Sequence, residues 1–229
     1  ALTGVLIANE WLDNVPIDVA ERHESETRLM LVQPDTGAQQ TGRLLTEEET
    51  AWLARWWPPT EAGELVELGH TRDAAWADAV GTVRAGLALA IDYGHLRDHR
   101  PVGGSMTGYA SGRQVAATPN GSCDVTAHVA VDSVARAGEL STNASGPAMI
   151  GRQRDCLRAL GLDAARPPRE LASRDPVEYL RVLDECGQAA ELLDSAGLGG
   201  FWWLAQPVAM LPTDRQRVAQ ILGMPGLTP

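Results

Sequence analysis

The chain has 229 residues, 30 acidic and 19 basic, for a formal net charge of −11, with 44% hydrophobic and 5% aromatic residues; that suffices for one large domain or two small ones with a packed core. All basic residues are arginines, which reads as codon usage, and no run of positive charge offers a phosphate-neutralising surface, so nucleic acid is excluded as a partner. Cys123, Cys156 and Cys186, without C-x-x-C spacing, exclude a disulfide framework and a structural zinc site, and with no membrane-length apolar stretch and no signal-peptide pattern they point to a cytoplasmic protein.

The run Gly4-Val5-Leu6-Ile7-Ala8 reads as a parallel strand buried on both faces and ended by Asn9 and Glu10. Val19 to His23 and Thr27 to Gln33, around Glu24-Ser25-Glu26, predict a hairpin outside the main sheet. Thr46 with Glu49 forms a capping box for a helix bearing Trp52, Leu53, Trp56 and Trp57, stopped by Pro58-Pro59. From about Thr71 a second helix aligns Trp76, Val80 and Val83, with Gly86 at its C-terminal cap, and a strand at Leu87 to Asp92 follows at once. Strand, helix and strand in one apolar framework predict a parallel crossover and the α/β class.

Beyond Asp92 the glycines 94, 103, 104, 108, 112 and 121 make a long loop, a length that marks function or disorder in a compact domain. Helices are expected at Asp132 to Ala137, Ile150 to Leu160, Pro176 to Cys186 with Asp175 as cap, and Gln188 to Ser195. A strand at Phe201 to Gln206 and a helix at Thr213 to Leu222 close the chain.

Ligands of open α/β sheets bind at the carboxyl ends of the strands, which directs attention to Asn9-Glu10-Trp11-Leu12-Asp13 and Asp92-Tyr93-Gly94-His95. From position alone these acids serve equally as turn formers or caps. His95 and His99 stand four apart, but Arg97 and Arg100 crowd them and no carboxylate completes a set, so a solvated loop and no metal are expected. The tryptophan-rich helix reads as core, with Trp56-Trp57-Pro58 bounding an acceptor groove as the alternative. Neither Ser105 nor Ser111 sits in G-x-S-x-G, and without lysine there is no phosphate-binding loop of the G-K-[ST] type, which excludes an α/β-hydrolase and a P-loop enzyme.

Three segments, Ala8-Asn9-Glu10-Trp11-Leu12-Asp13-Asn14-Val15-Pro16, Ile91-Asp92-Tyr93-Gly94-His95 and Asp124-Val125-Thr126-Ala127-His128-Val129, resemble in order and spacing the signatures of the MidA-like family of S-adenosylmethionine-dependent methyltransferases, which includes a mitochondrial complex I assembly factor that methylates protein arginine. Gly197-Leu198-Gly199-Gly200-Phe201 is similar to the family's end. The resemblance implies a Rossmann-like class I methyltransferase sheet, its second half from the fourth strand onward, with a helical insertion. Residues 1–145 would carry that half-sheet with its insertions, 146–196 a helical subdomain, and 197–229 a late strand and returning helix. Since the family's glycine-rich cofactor loop and ribose-binding acid precede the fourth strand, and Ala1 is not an initiator methionine, a cut chain is expected, its first half removed or supplied by another molecule.

The implied activity is methyl transfer from S-adenosylmethionine to a protein side chain, arginine first. Glu10 and Asp13 would grip the guanidinium bidentately, and His128 or His95 would relay the proton. Asn9 would line the cofactor side, and Asp92, Tyr93, His95, Tyr109 and Arg113 the acceptor side. The implied partner is a protein substrate, with a homodimer as an option. The alternative is a non-catalytic assembly or protein-binding module that kept the fold; it draws on the absent cofactor half and on Ala110-Ser111-Gly112-Arg113, where the family usually has a more basic stretch.

Overall fold

The computed structural model describes residues 1–224. The chain opens with β1 (Leu2–Asn9), β2 (Asp18–Arg22), β3 (Thr27–Val32), β4 (Gln39–Leu44), α1 (Glu47–Trp56), β5 (Leu65–Leu68), α2 (His70–Thr82) and β6 (Val83–Asp92). Short strands follow: β7 (Gly94–His95), β8 (Thr107–Ala110), β9 (Arg113–Val115), β10 (Asp124–Thr126) and β11 (Val129–Ala130). Then come α3 (Val131–Glu139), β12 (Met149–Arg152), α4 (Gln153–Ala159), α5 (Arg169–Arg174), α6 (Pro176–Leu193), β13 (Trp202–Val208) and α7 (Pro212–Ile221).

The main sheet has the order β1-β6-β13-β12, with β1 parallel to β6, β13 antiparallel to β6, and β12 antiparallel to β13. The crossover from β1 to β6 is thus parallel, as the apolar pattern predicts. Gly86 is not a helix cap: it lies within β6 opposite Gly4 at φ +133°, where an added Cβ would come 1.9 Å from the Gly4 carbonyl oxygen. Close approach of the two backbones requires glycine there. The expectation that the first strand is buried on both faces is corrected. Among the described residues β1 pairs only with β6, and Val5 and Ile7 are 57% and 63% exposed.

Trp76 and Val80 of α2 pack with Val134 and Ala135 of α3 against Ala88, Ala90 and Leu204, which closes one face of the sheet. Met149, Cys156, Trp203, Leu222 and Met224 cover the other. A second antiparallel sheet, β4-β3-β2-β5, contains the predicted hairpin and packs Ala20, Leu29, Val66 and Leu68 on Trp52, Leu53 and Trp57 of the α1 region. Trp57 is therefore core. The capping box forms with both of its bonds, Glu49 N–H to Thr46 Oγ1 at 3.2 Å and Thr46 N–H to Glu49 Oε2 at 2.7 Å. Thr46→Ala is expected to lower stability by about 1 kcal/mol, read from the urea midpoint.

The glycine-rich stretch after Asp92 is not one loop; it folds β8, β9 and β10 into a small antiparallel sheet. Ile150 begins no helix either: Met149 to Arg152 is strand, registered on Trp202 to Ala205, and α4 starts at Gln153. The two helices expected between Pro176 and Ser195 are one, α6, capped by Asp175, whose carboxylate accepts from the Glu178 N–H. No helix among the described residues is long and apolar enough to cross a membrane.

Candidate active site

Parallel register brings Asn9 opposite Ile91, so β1 and β6 end on one rim. The Glu10 N–H donates to the Ile91 carbonyl at 2.8 Å, and Glu10 then turns through φ +45°. A left-handed conformation is costly for a residue with a Cβ and is held only where the surroundings enforce it. Here it sends the chain off the strand and leaves the Glu10 carboxylate exposed, with no ion pair among the described residues.

Asp92 and Asp13 have separate tasks. Asp92 is buried and faces the protein: Oδ2 accepts the N–H groups of Leu12 (3.0 Å) and Asp13 (3.2 Å), and Oδ1 that of Tyr93 (3.0 Å). It anchors the turn after β1 to the turn after β6. Asp13 reaches the cavity wall but is itself buried, its Oδ2 accepting from the Tyr93 hydroxyl and, at 3.0 Å, from Thr126 Oγ1, and its Oδ1 from Asn14 Nδ2 at 2.9 Å. Burial and the Asp13 carboxylate raise the Tyr93 hydroxyl above its ordinary value, so it stays a phenol.

Burial, joined by repulsion from Asp13, pushes Asp92 up to about 7, against the pull of the N–H donors and Arg72. A carboxyl raised on folding binds more protons in the native than in the unfolded state between about pH 4 and 7. Stability should therefore fall as pH rises through that window. Carboxyl 13C NMR should give Asp92 a midpoint near 7; an ordinary carboxylate midpoint would contradict the burial argument.

Arg72, on α2, is 2% exposed and holds the turns together. Its guanidinium donates to the carbonyls of Asp13 (2.6 Å), Val15 (3.0 Å), Ala127 (3.0 Å) and His128 (2.9 Å). Buried Glu67 of β5 does the same for the next loop: it accepts the Ser105 and Met106 N–H groups and the Ser105 hydroxyl, and Ser105 Oγ accepts the His128 N–H at 2.8 Å. These contacts position β10 and His128 over the rim.

The result is a cavity of about 900 Å³. Glu10, Asp13, Asn14 and Tyr93 line it from the rim, Thr107, Tyr109, Asp124, Thr126 and His128 from the small sheet and its turn, and Arg152, Arg154, Ser195 to Leu198, Gly200 and Phe201 from the late segments. Tyr93 meets His128 and Phe201 edge-on, each with ring centroids 5.4 Å apart. His128 is exposed, with its pKa lowered chiefly by desolvation, so at neutral pH its ring is an uncharged base.

Of the residues singled out in the sequence, Glu10, Asp13, Tyr93, Tyr109 and His128 line this cavity. Asn9 and Arg113 are exposed and do not line it; Asn9 Nδ2 reaches Glu10 Oε1 at 3.4 Å. Asp92 and His95 are buried, correcting the expectation of a free crevice carboxylate and of a solvated histidine loop. His95 cannot relay a proton. Arg100 Nη1 donates to its Nδ1 at 2.8 Å, which places the ring proton on Nε2, and burial pushes its pKa down to about 3. Arg72, Glu67 and Arg152 have no signature in the sequence beyond their residue types.

Residues 1–148 match the family model described as "Putative S-adenosyl-L-methionine-dependent methyltransferase". No curated protein matches the chain. Two solved structures from Burkholderia thailandensis share its fold. One, of a protein bound to S-adenosyl-homocysteine, is 22% identical with a TM-score of 0.72 and covers 90% of this chain and 54% of its own. The other, the native structure of an uncharacterized protein from the same organism, is 22% identical with a TM-score of 0.71, covering 90% and 55%. The chain thus spans about half the length of the structures it resembles.

Proposed function

The chain belongs to the family of S-adenosyl-L-methionine-dependent methyltransferases whose model spans residues 1–148, and from that premise we propose that it is a MidA-like member that methylates a protein side chain, arginine first. The observation that carries this is the exposed, unpaired Glu10 carboxylate at the mouth of a cavity built where β1 and β6 end together. The order β1-β6-β13-β12, with β13 antiparallel, supports reading the sheet as the second half of a class I methyltransferase sheet.

S-adenosylmethionine, when bound, supplies an electrophilic methyl group on a sulfonium. The residues present fit part of it: the Glu10 carboxylate suits a cationic sulfur centre, whereas Asn9 lies outside the cavity and the turns after β1 and β6 carry Glu10-Trp11 and Tyr93-Gly94 in place of a glycine-rich loop. In this reading the adenosine and methionine ends are held by the other half of the sheet, beyond the free edge of β1.

Glu10 and exposed Asp124 take the acceptor guanidinium between them, which orients one nitrogen and offsets its charge. Asp13, its oxygens already engaged, fixes the Tyr93 hydroxyl at the wall and does not grip the acceptor. The nitrogen that gains a methyl group must shed a proton. Uncharged His128, whose ring makes no hydrogen bond among the described residues, accepts it.

Isothermal titration with S-adenosylmethionine tests the reading, using residues 1–229 and a chain extended to the length of the solved relatives. Binding to the extended chain, weak or absent in the shorter one, is the expected result. Binding to neither would favour the non-catalytic module.

A further inference from the structure

Beside the main cavity lies an annex of about 320 Å³ that shares Gly94, His128 and Arg152 with it. The two compartments differ in charge. The main cavity sets Glu10, Asp13 and Asp124 against Arg152 and Arg154, whereas the annex is walled by His95, His99, His128, Arg152 and Trp202 with no carboxylate among the described residues. In a chain of net charge −11 a carboxylate-free pocket of this kind is a local reversal.

Arg152 is the fixed cation. Its guanidinium carbon lies 3.5 Å from the Trp202 ring centroid, and Nη1 donates to the Gly200 carbonyl. Trp202 is itself held by its indole N–H, which donates to the Gly94 carbonyl at 3.0 Å. Among the described residues no carboxylate pairs with Arg152, and the remaining guanidinium N–H groups have no acceptor. The nearby charges are Arg154, which repels it, and Asp155, which Arg154 engages at 3.5 Å. A partly desolvated cation without a counter-ion favours an anion.

His95 supplies the second donor. Arg100 cannot give up its proton, so Nδ1 is the acceptor of that bond and Nε2 carries the hydrogen. Arg100 is locked by Asp132 Oδ1 at 2.7 Å and the Trp56 carbonyl at 3.0 Å, so the tautomer is fixed. His95 is 5% exposed, its ring meets Trp57 edge-on with centroids 5.0 Å apart, and among the described residues its Nε2 has no hydrogen-bond partner. A buried donor without an acceptor is an exception that needs an explanation.

We propose that the annex binds an oxyanion, carboxylate or phosphate monoester, carried by a residue next to the methyl acceptor. It would accept hydrogen bonds from Arg152 and from His95 Nε2–H while the acceptor side chain lies among Glu10, Asp124 and Tyr93. The oxyanion site stands on the annex alone; its assignment to the acceptor rests on the methyltransferase reading. The substrate class becomes an arginine flanked by an acidic or phosphorylated residue.

The test is histidine-ring 15N NMR of the purified protein, titrated at fixed pH and ionic strength with sodium acetate and with inorganic phosphate. Saturable shifts of the His95 and His128 signals are expected, at least tenfold weaker in affinity in Arg152→Gln. A response to acetate alone assigns a carboxylate, and to phosphate alone a phosphate ester. No saturable shift with either anion, or equal affinity in a folded Arg152→Gln, overturns the proposal. Should that variant lose its spectral dispersion, Arg152→Lys replaces it: a several-fold weakening supports the site, and unchanged affinity overturns it. None of this needs methyl transfer, so the function is separated by a second assay, methylation by the extended chain, once its S-adenosylmethionine binding is established, of peptides with glutamate or glutamine beside the arginine. A KM about tenfold higher for the glutamine peptide, with the difference lost in Arg152→Gln, is expected. Equal KM values overturn the assignment to the acceptor, and methylation of neither peptide refutes the arginine reading while the oxyanion site keeps its NMR test.

Discussion

Arg72→Met should cost at least about 3 kcal/mol of stability, because one buried guanidinium serves four backbone carbonyls. Methionine fills similar space but donates nothing, leaving the carbonyls of Asp13, Val15, Ala127 and His128 without the donor they share. The loss reaches the site as well. Arg72 ties the turn bearing Asp13 to the turn bearing His128, and those turns are two walls of the cavity. Arg72→Lys tests the geometry: an ammonium keeps the charge but concentrates its donors on one nitrogen and cannot span four carbonyls. It should recover less than half of the loss. Urea midpoints at equal m-value give the comparison, and a loss below about 1 kcal/mol for Arg72→Met would discard the staple.

Glu10→Gln in the extended chain should lower kcat/KM for methylation about 100-fold while leaving stability within about 0.5 kcal/mol. Glutamine keeps the length and adopts the same backbone turn, and the side chain is exposed, so the fold has no reason to respond. What disappears is a rim carboxylate that, among the described residues, meets only Asn9 Nδ2 at 3.4 Å and forms no ion pair. Asp13 cannot replace it, with Tyr93, Thr126 and Asn14 already on its oxygens. Unchanged methylation would pass the grip to Asp124 alone.

The strands that make the rim are legible in the sequence because their apolar runs are unbroken, and residues adjoining their ends, Glu10, Asp13 and Tyr93, inherit a predictable place. Which way a side chain faces once the strand has ended is not legible. Asp92 and Glu10 occupy equivalent ends of paired strands, yet Asp92 turns inward to meet the N–H groups of Leu12, Asp13 and Tyr93 while Glu10 turns outward through a positive φ. Nothing local encodes that difference; it arises from the turn each strand feeds. Gly108 hides a strand for a related reason. A Cβ there would come 2.9 Å from Cys123 Sγ, so packing demands the residue that weakens the strand pattern. Arg72 and Arg152 look like solvating charges of helices until long-range contacts bury one and stack the other. Arg152 also closes β12, which the helical pattern from Ile150 onward conceals.

A crystal structure of the chain extended to the length of the solved relatives, with S-adenosyl-homocysteine bound, tests the placement of the chemistry most directly. The sulfur should sit in the cavity at the ends of β1 and β6, beside Glu10, so that a nitrogen held by that carboxylate can come within about 3–3.5 Å of the transferred methyl position. Sulfur seated away from this rim, with Glu10 pointing to solvent on another face, would contradict the account.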